Sequence, residues 1–350
     1  MKIIMNRKYM FNMKMGLVVM GVILLSGLYL LSGDHSDPTS TLNTESTQIR
    51  IGWQTPWSTQ GQLTQILKHT DILKNNKLKA DFKGFSYGGP LNEAALAGEV
   101  DIIFTADQPA ATLLAKDDRW TIIGRLMYNR VSLYVPPMSS IKTVADLRGK
   151  TVAMPFGAAA QRMALKAEQD AGLNPKTDVN NINLGIYEQS DLVRDPNAKN
   201  WGNIDAMAGF DPTPAIFEEK GLVRNLQVGK VVSVILVSNN LIERDPASVS
   251  RFLKAFNETY DYYRNNIPQA NSWFVAESGL DITPTALAIS ASIEPNLEVT
   301  SKEEIRIGFN DEDYHIMQEA ADFIFVQGLV KKRVIMKDHI NTSFLEGLGK

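Results

Sequence analysis

No cysteine occurs anywhere in the 350 residues. That excludes disulfides, thiolate metal sites and cysteine nucleophiles. Histidine is scarce too. His35, His69, His315 and His339 are scattered and show no metal-ligand spacing, so neither a metal nor a cofactor is expected. Neither Gly-x-Ser-x-Gly nor Gly-x-Gly-x-x-Gly is present, and Gly149-Lys150-Thr151 falls short of a phosphate-binding loop because Val144 stands where its first glycine belongs. No solenoid-type repeat and no Pro/Gly-dominated segment interrupts the chain. A basic excess is also missing. Four of the 36 basic residues precede position 33, which leaves 32 against 39 acidic, a formal charge of −7 beyond it. Nucleic acid is therefore not an expected partner, since phosphate neutralisation needs a basic face.

What is present begins at the N-terminus. Lys2, Arg7, Lys8 and Lys14 lead into Met15–Gly33, which carries no charge. As a helix that run would span about 28 Å, close to the thickness of a bilayer core. Basic residues ahead of it keep that end in the cytoplasm and send the rest of the chain across. Residues 1–33 are thus expected to be a signal peptide or a membrane anchor. Leu31-Ser32-Gly33 looks like the approach to a lipoprotein cleavage site, but Asp34 replaces the cysteine that would carry lipid, so both alternatives stay open. Residues 34–48, rich in Ser, Thr, Asp and Asn, read as a linker.

A chain this long exceeds what one core usually holds, so two lobes are expected. Strand-like alternation at Gln48–Trp53 and Leu78–Tyr87 and an apolar strand at Val100–Phe104 are interleaved with helical spacings at Gln60–Lys74, Leu91–Gly98 and Gln108–Ala115. A strand pair is expected around Arg130, between Thr121 and Tyr134. The rhythm restarts with strands at Thr151–Met154, Asn183–Ile186 and Ile204–Gly209, and helices at Ala158–Ala171 and Asp211–Lys220. Val231–Ser238 returns the chain, and beyond it the sequence reads as helices. The fold class is α/β. Residues 49–135 plus 232–350 are expected to form the first lobe and 136–231 an inserted second lobe, with a hinge at Val131–Pro137 and Gly229–Ser233.

Ligands of open α/β sheets lie beyond the carboxyl ends of strands, against helix N-termini. The turns there carry Trp53, Pro56 and Trp57; Tyr87 and Gly88; Asp107 and Gln108; Phe156, Gly157 and Ala158; and Phe210 and Asp211. Aromatic walls with a few polar groups suit a small-molecule site. Each aromatic has a plain alternative in the core, and Asp107 and Asp211 one as helix N-caps. Arg130 and Arg162 allow an anionic ligand, with structural ion pairs as their alternative.

Three stretches resemble one family. Val144-Ala145-Asp146-Leu147-Arg148-Gly149-Lys150-Thr151-Val152-Ala153 resembles the entry to the second lobe of type II periplasmic solute-binding proteins. Phe210-Asp211-Pro212, Ala215 and Gly221–Leu226 resemble a stretch of the aliphatic sulfonate, nitrate, taurine and thiamine-precursor group, as does Ala95-x-x-Gly98-Glu99-Val100-Asp101-Ile102. The resemblance implies a two-lobed Venus-flytrap fold and an extracytoplasmic binding protein, here read as a monomer. It implies a small-molecule ligand, delivered to an ABC-type permease and its ATPase. It adds Gln161 to the ligand-facing turns. Where sulfonate and nitrate binders tend to place Ser, Thr or His, this chain has Ala158-Ala159-Ala160. The aromatic set with Asp107 and Asp211 therefore leaves sulfonate, amine and pyrimidine-like ligands all open. The alternatives to a transport role are a membrane-held receptor domain and an enzyme on the same fold.

Overall fold

The computed structural model of the chain describes residues 46–346 and 348. The uncharged run 15–33 lies outside them. The body opens with β1 (Thr47–Gln54), α1 (Gln60–His69), a short α2 (Ile72–Asn75), β2 (Leu78–Phe85), α3 (Gly88–Leu96), β3 (Ile102–Ala106) and α4 (Asp107–Lys116). The long strand β4 (Trp120–Val135) leads on to β5 (Thr151–Met154), α5 (Ala159–Asp170), β6 (Asn180–Asn183), α6 (Ile186–Leu192), β7 (Ala206–Phe210) and α7 (Thr213–Glu219). A second long strand, β8 (Arg224–Ser238), returns the chain. It is followed by α8 (Asn239–Arg244), α9 (Pro246–Asn265), α10 (Ile267–Ser278), α11 (Pro284–Ala291) and α12 (Asp311–Val326).

All eight strands form one sheet in the order β2-β1-β3-β8-β4-β7-β5-β6. Two parallel wings, β2-β1-β3 and β7-β5-β6, flank an antiparallel ribbon of β4 and β8. One wing joins the ribbon where β3 pairs with Ser233–Val237 of β8, the other where β7 pairs with Val131–Tyr134 of β4. This is the sheet of the expected α/β fold. The alternating Ile49, Ile51 and Trp53 of β1 are buried because both faces of each wing carry helices.

Three sequence expectations change. The strand pair around Arg130 is a single 16-residue strand, whose irregularities at Ile122/Gly124 and Arg125/Met127 shift its register without ending it. The strand expected at Asn183–Ile186 lies earlier, with Thr151 of β5 opposite Asn180 and Met154 opposite Asn183, and Ile186 already begins α6. β8 begins at Arg224 rather than Val231, because its first half is polar and only partly covered, so no apolar run marks it.

Two connections hold the C-terminal helices to the sheet. Arg125 and Glu294 are both fully buried and pair side-on, Nη1 to Oε2 at 2.8 Å and Nη2 to Oε1 at 2.9 Å. The backbone N–H groups of Tyr128 and Asn296 donate to the same carboxylate, at 2.7 and 3.0 Å. Further along, α10 lies on α1. A Cβ on Gly61 would meet the Phe274 ring at 2.2 Å, and Gln62 donates to Asn271 at 3.0 Å. The segment after α10 turns to α7 instead, where Lys220 pairs with Asp281 at 2.6 Å and Thr283 bonds Glu219. The helical hairpin 267–291 thus grips α1 at one end and α7 at the other.

Candidate functional site

The turn after β1 and the turn after β7 come together. The indole of Trp57 and the ring of Phe210 lie 4.6 Å apart between centroids, tilted by 45°, and both are fully buried. The Ser58 N–H points to the Asp211 carbonyl at 3.4 Å. Nearby, the hydroxyls of Thr55 and Tyr187 lie 3.2 Å apart, and Tyr187 donates to the Ser278 carbonyl at 3.0 Å. A second meeting joins the turn after β3 to α5, where Gln108 Nε2 donates to Gln161 Oε1 at 3.4 Å and the Gly157 N–H donates to the same oxygen at 2.8 Å.

Both aspartates face an arginine. Arg162 Nη2 lies 2.7 Å from Asp107 Oδ2, and Arg130 Nε lies 2.8 Å from Asp211 Oδ2. Arg130 also reaches Glu218 at 2.8 Å. Burial raises the Asp107 carboxyl above its ordinary range, with Arg162 opposing it. Burial lifts Asp211 to about 6, against the pull of Arg130. Neither aspartate is an N-cap. Asp107 is the first residue of α4, behind the cap residue Ala106, and Pro212 occupies the cap of α7. The structural ion pair weighed for Arg130 and Arg162 is the arrangement found. Carboxylates already matched by guanidinium groups offer little net attraction to a cationic ligand.

What the site offers most is donors, beside unpartnered acceptors at Gln54 Oε1, Gln108 Oε1 and Asp211 Oδ1. Gln60 Oε1 accepts from the Gln54 N–H at 2.6 Å, which leaves its amide NH2 free. The buried Trp57 indole N–H, Ser58 hydroxyl, Gln60 Nε2, Thr213 hydroxyl and Arg162 Nε have no protein partner among the described residues. An unpaired buried polar group costs about 1–3 kcal/mol, so the four on the turns that carry Trp57 and Phe210 mark a place suited to acceptor atoms, while Arg162 Nε belongs to the pair with Asp107. Thr59, between Ser58 and Gln60, adopts φ 64°, a left-handed conformation unfavourable for a β-branched residue. Strain of that kind concentrates at binding sites.

Pro56 is buried within the β1–α1 turn beside Trp57. Trp53 is buried and sits under Lys68, whose ammonium is 5.7 Å from the ring. Tyr87 is half-buried at the start of α3, and Gly88 is pressed against Pro109, where a Cβ would come within 2.5 Å. Ala158 is buried as the N-cap of α5 and makes no side-chain cap. Phe156 is 39% exposed at the rim of the β5–α5 turn. Ser58, Gln60 and Thr213 were not singled out. Their signal was weak: each is a small or amide side chain within three residues of an aromatic turn.

A fold with two parallel wings around an antiparallel ribbon, its strand-end turns converging on buried donors, defines a ligand-binding protein of the type II periplasmic class. The chain belongs to the NMT1/THI5-like family, whose model matches residues 88–270. It is similar to a putative aliphatic sulfonates-binding protein of Escherichia coli (strain K12), 26% identical over 301 residues, covering 83% of this chain and 88% of that one. A protein of the same description from Bacillus subtilis (strain 168) is 24% identical over 341 residues, covering 95% and 96%. Among solved structures, the alkanesulfonate-binding protein SsuA from Xanthomonas axonopodis pv. citri bound to MOPS superposes with a TM-score of 0.69 at 21% identity, covering 85% of this chain and 99% of that one. The architecture also occurs in the desulfurization enzyme DSZB, with a TM-score of 0.59 at 14% identity, covering 85% and 97%.

Proposed function

We propose that this chain is the extracytoplasmic solute-binding component of an ABC-type importer and that it captures a small organic anion, a sulfonate, between two lobes. The observation that carries the ligand reading is the set of unpartnered donors at Trp57, Ser58, Gln60 and Thr213, beside aspartates already neutralised by Arg162 and Arg130. A sulfonate presents three acceptor oxygens and no donor, which is the complement of that set. The names of its relatives point the same way. An amine would find fewer partners, the free acceptors being Gln54 Oε1, Gln108 Oε1 and Asp211 Oδ1.

The lobes of this reading are residues 49–135 with 232–350, and 136–231. The β4–β8 ribbon at Val131 and Gly229 is the hinge, and the 267–291 hairpin spans both sides. Trp57 and Phe210 belong to different lobes, so their contact is a closed-state contact. The run 15–33 takes the body across the membrane, as a retained anchor or a removed signal, and the importer's permease and ATPase are the downstream partners. Binding rather than turnover is the role, because both cleft carboxylates are engaged by arginines and no cysteine exists to act as a nucleophile.

A thermal-shift screen of alkanesulfonates, amines and pyrimidines tests this, because a ligand that binds only the folded state raises the midpoint by mass action. Sulfonates are expected to stabilise the chain and to be recovered chemically unchanged. Stabilisation by amines alone would overturn the ligand, and release of sulfite would overturn the binding role.

A further inference from the structure

The end of α12 and the segment after it carry a surface unlike the rest of the body. Phe325, Val326, Leu329 and Ile335 are all exposed, Val326 by 75%. Between and beside them stand Lys331, Lys332, Arg333 and Lys337, also exposed, and no acidic residue occurs from Phe323 to Lys337. The fold makes these residues one patch. Gln318 of α12 donates to the Val334 carbonyl at 3.0 Å and accepts from the Met336 N–H at 2.9 Å, so the segment folds back along the helix. Val334 and Met336 are buried there, and their neighbours point outward. Arg333 pairs with Asp322 at 2.7 Å, and Phe325 and Val326 follow Asp322 at three and four positions on the same helix face. Lys331 and Lys332 form no ion pair among the described residues. The segment then reaches Ile340, which bridges Ile122 near the start of β4, at the end of the sheet where β1 also begins.

We propose that this patch docks on an anionic lipid surface. Exposed aliphatic and aromatic side chains interleaved with lysines are the make-up of an interfacial membrane contact, with apolar groups entering the headgroup boundary and cations facing lipid phosphates. A protein–protein interface core is instead depleted in lysine. The patch is also the wrong sign for a body that carries −7 beyond position 33, which singles it out as a local attraction to negative charge. Its docking would hold the start of β1 towards the membrane. The inference stands apart from the ligand reading and does not need residues 15–33 to be retained.

The absence of cysteine gives a clean test, since Val326→Cys in the full chain provides a unique label for an environment-sensitive fluorophore. The label should shift to the blue on vesicles of phosphatidylcholine with about one part in three phosphatidylglycerol, but not on phosphatidylcholine alone. The shift should vanish at high salt and in the Lys331→Glu/Lys332→Glu chain, whose exposed substitutions leave the fold intact. A label at Leu192→Cys, exposed on α6, should not shift. Equal emission on both vesicles overturns the proposal, as does an equal shift at Leu192→Cys. A shift that needs the importer's membrane subunits, or that grows with protein concentration without vesicles, assigns the patch to a protein partner and also overturns it.

Discussion

Two buried arginine–carboxylate pairs show how the same chemistry serves two ends in this molecule. Arg125–Glu294 lies in the core, where the carboxylate accepts two guanidinium bonds and two backbone N–H groups. Arg130–Asp211 lies in the proposed cleft, where one aspartate oxygen, Oδ1, has no partner and the arginine divides itself between Asp211 and Glu218. The first is a clamp with a fully engaged carboxylate, joining β4 to the C-terminal segment, and only Arg125 Nε is left without a partner. The second is a neutralised wall with capacity left over. Stability and ligand choice therefore sit on different pairs, and substitutions should separate them.

The largest effect is expected from Glu294→Gln. It leaves Arg125 charged and buried without its counterion, a loss of about 3–5 kcal/mol, read as a lower urea midpoint. By contrast, Asp211→Asn should be tolerated near neutral pH, because Arg130 keeps Glu218. Asp211 is lifted from 3.8 to about 6, so the folded chain holds that proton more tightly than the unfolded chain between those values. Stability from this group is full below pH 3.8 and is lost as pH rises through 6, on the order of 3 kcal/mol in all. Urea midpoints from pH 4 to 7 should show that fall in the parent chain and not in Asp211→Asn. Protonating Asp211 also removes a negative charge from the cleft, so sulfonate affinity should rise below pH 6.

Smaller changes sharpen the contrast at the site. Trp57→Phe keeps the ring against Phe210 and deletes the indole N–H. Loss of one hydrogen bond to a charged acceptor should weaken sulfonate binding about 10- to 100-fold in a calorimetric titration, with little change in the urea midpoint. Ala158→Ser supplies the missing N-cap of α5 and should add about 0.5–1 kcal/mol of stability.

Much of the fold was legible because strand and helix periods are local. The helices at Pro246–Asn265, Ile267–Ser278 and Asp311–Val326 lie in the stretch after Ser238 that reads as helical. The site was legible only in part. The aromatic turns were found, and two of their members, Trp57 and Phe210, meet. The partners of the two aspartates were not legible, because Arg162 is 55 residues from Asp107 and Arg130 is 81 from Asp211 in the chain. No local pattern announces such pairs. The donors at Ser58, Gln60 and Thr213 were missed because isolated hydroxyl and amide side chains acquire meaning only once burial strips them of partners.

The proposed cleft favours ligands rich in acceptors over ligands rich in donors. Calorimetric titration with propanesulfonate and propylammonium, matched in size and opposite in charge, tests it most directly. Saturable binding of the sulfonate, weakened by Trp57→Phe, is expected, with none of the ammonium. Binding of propylammonium with propanesulfonate silent would contradict it.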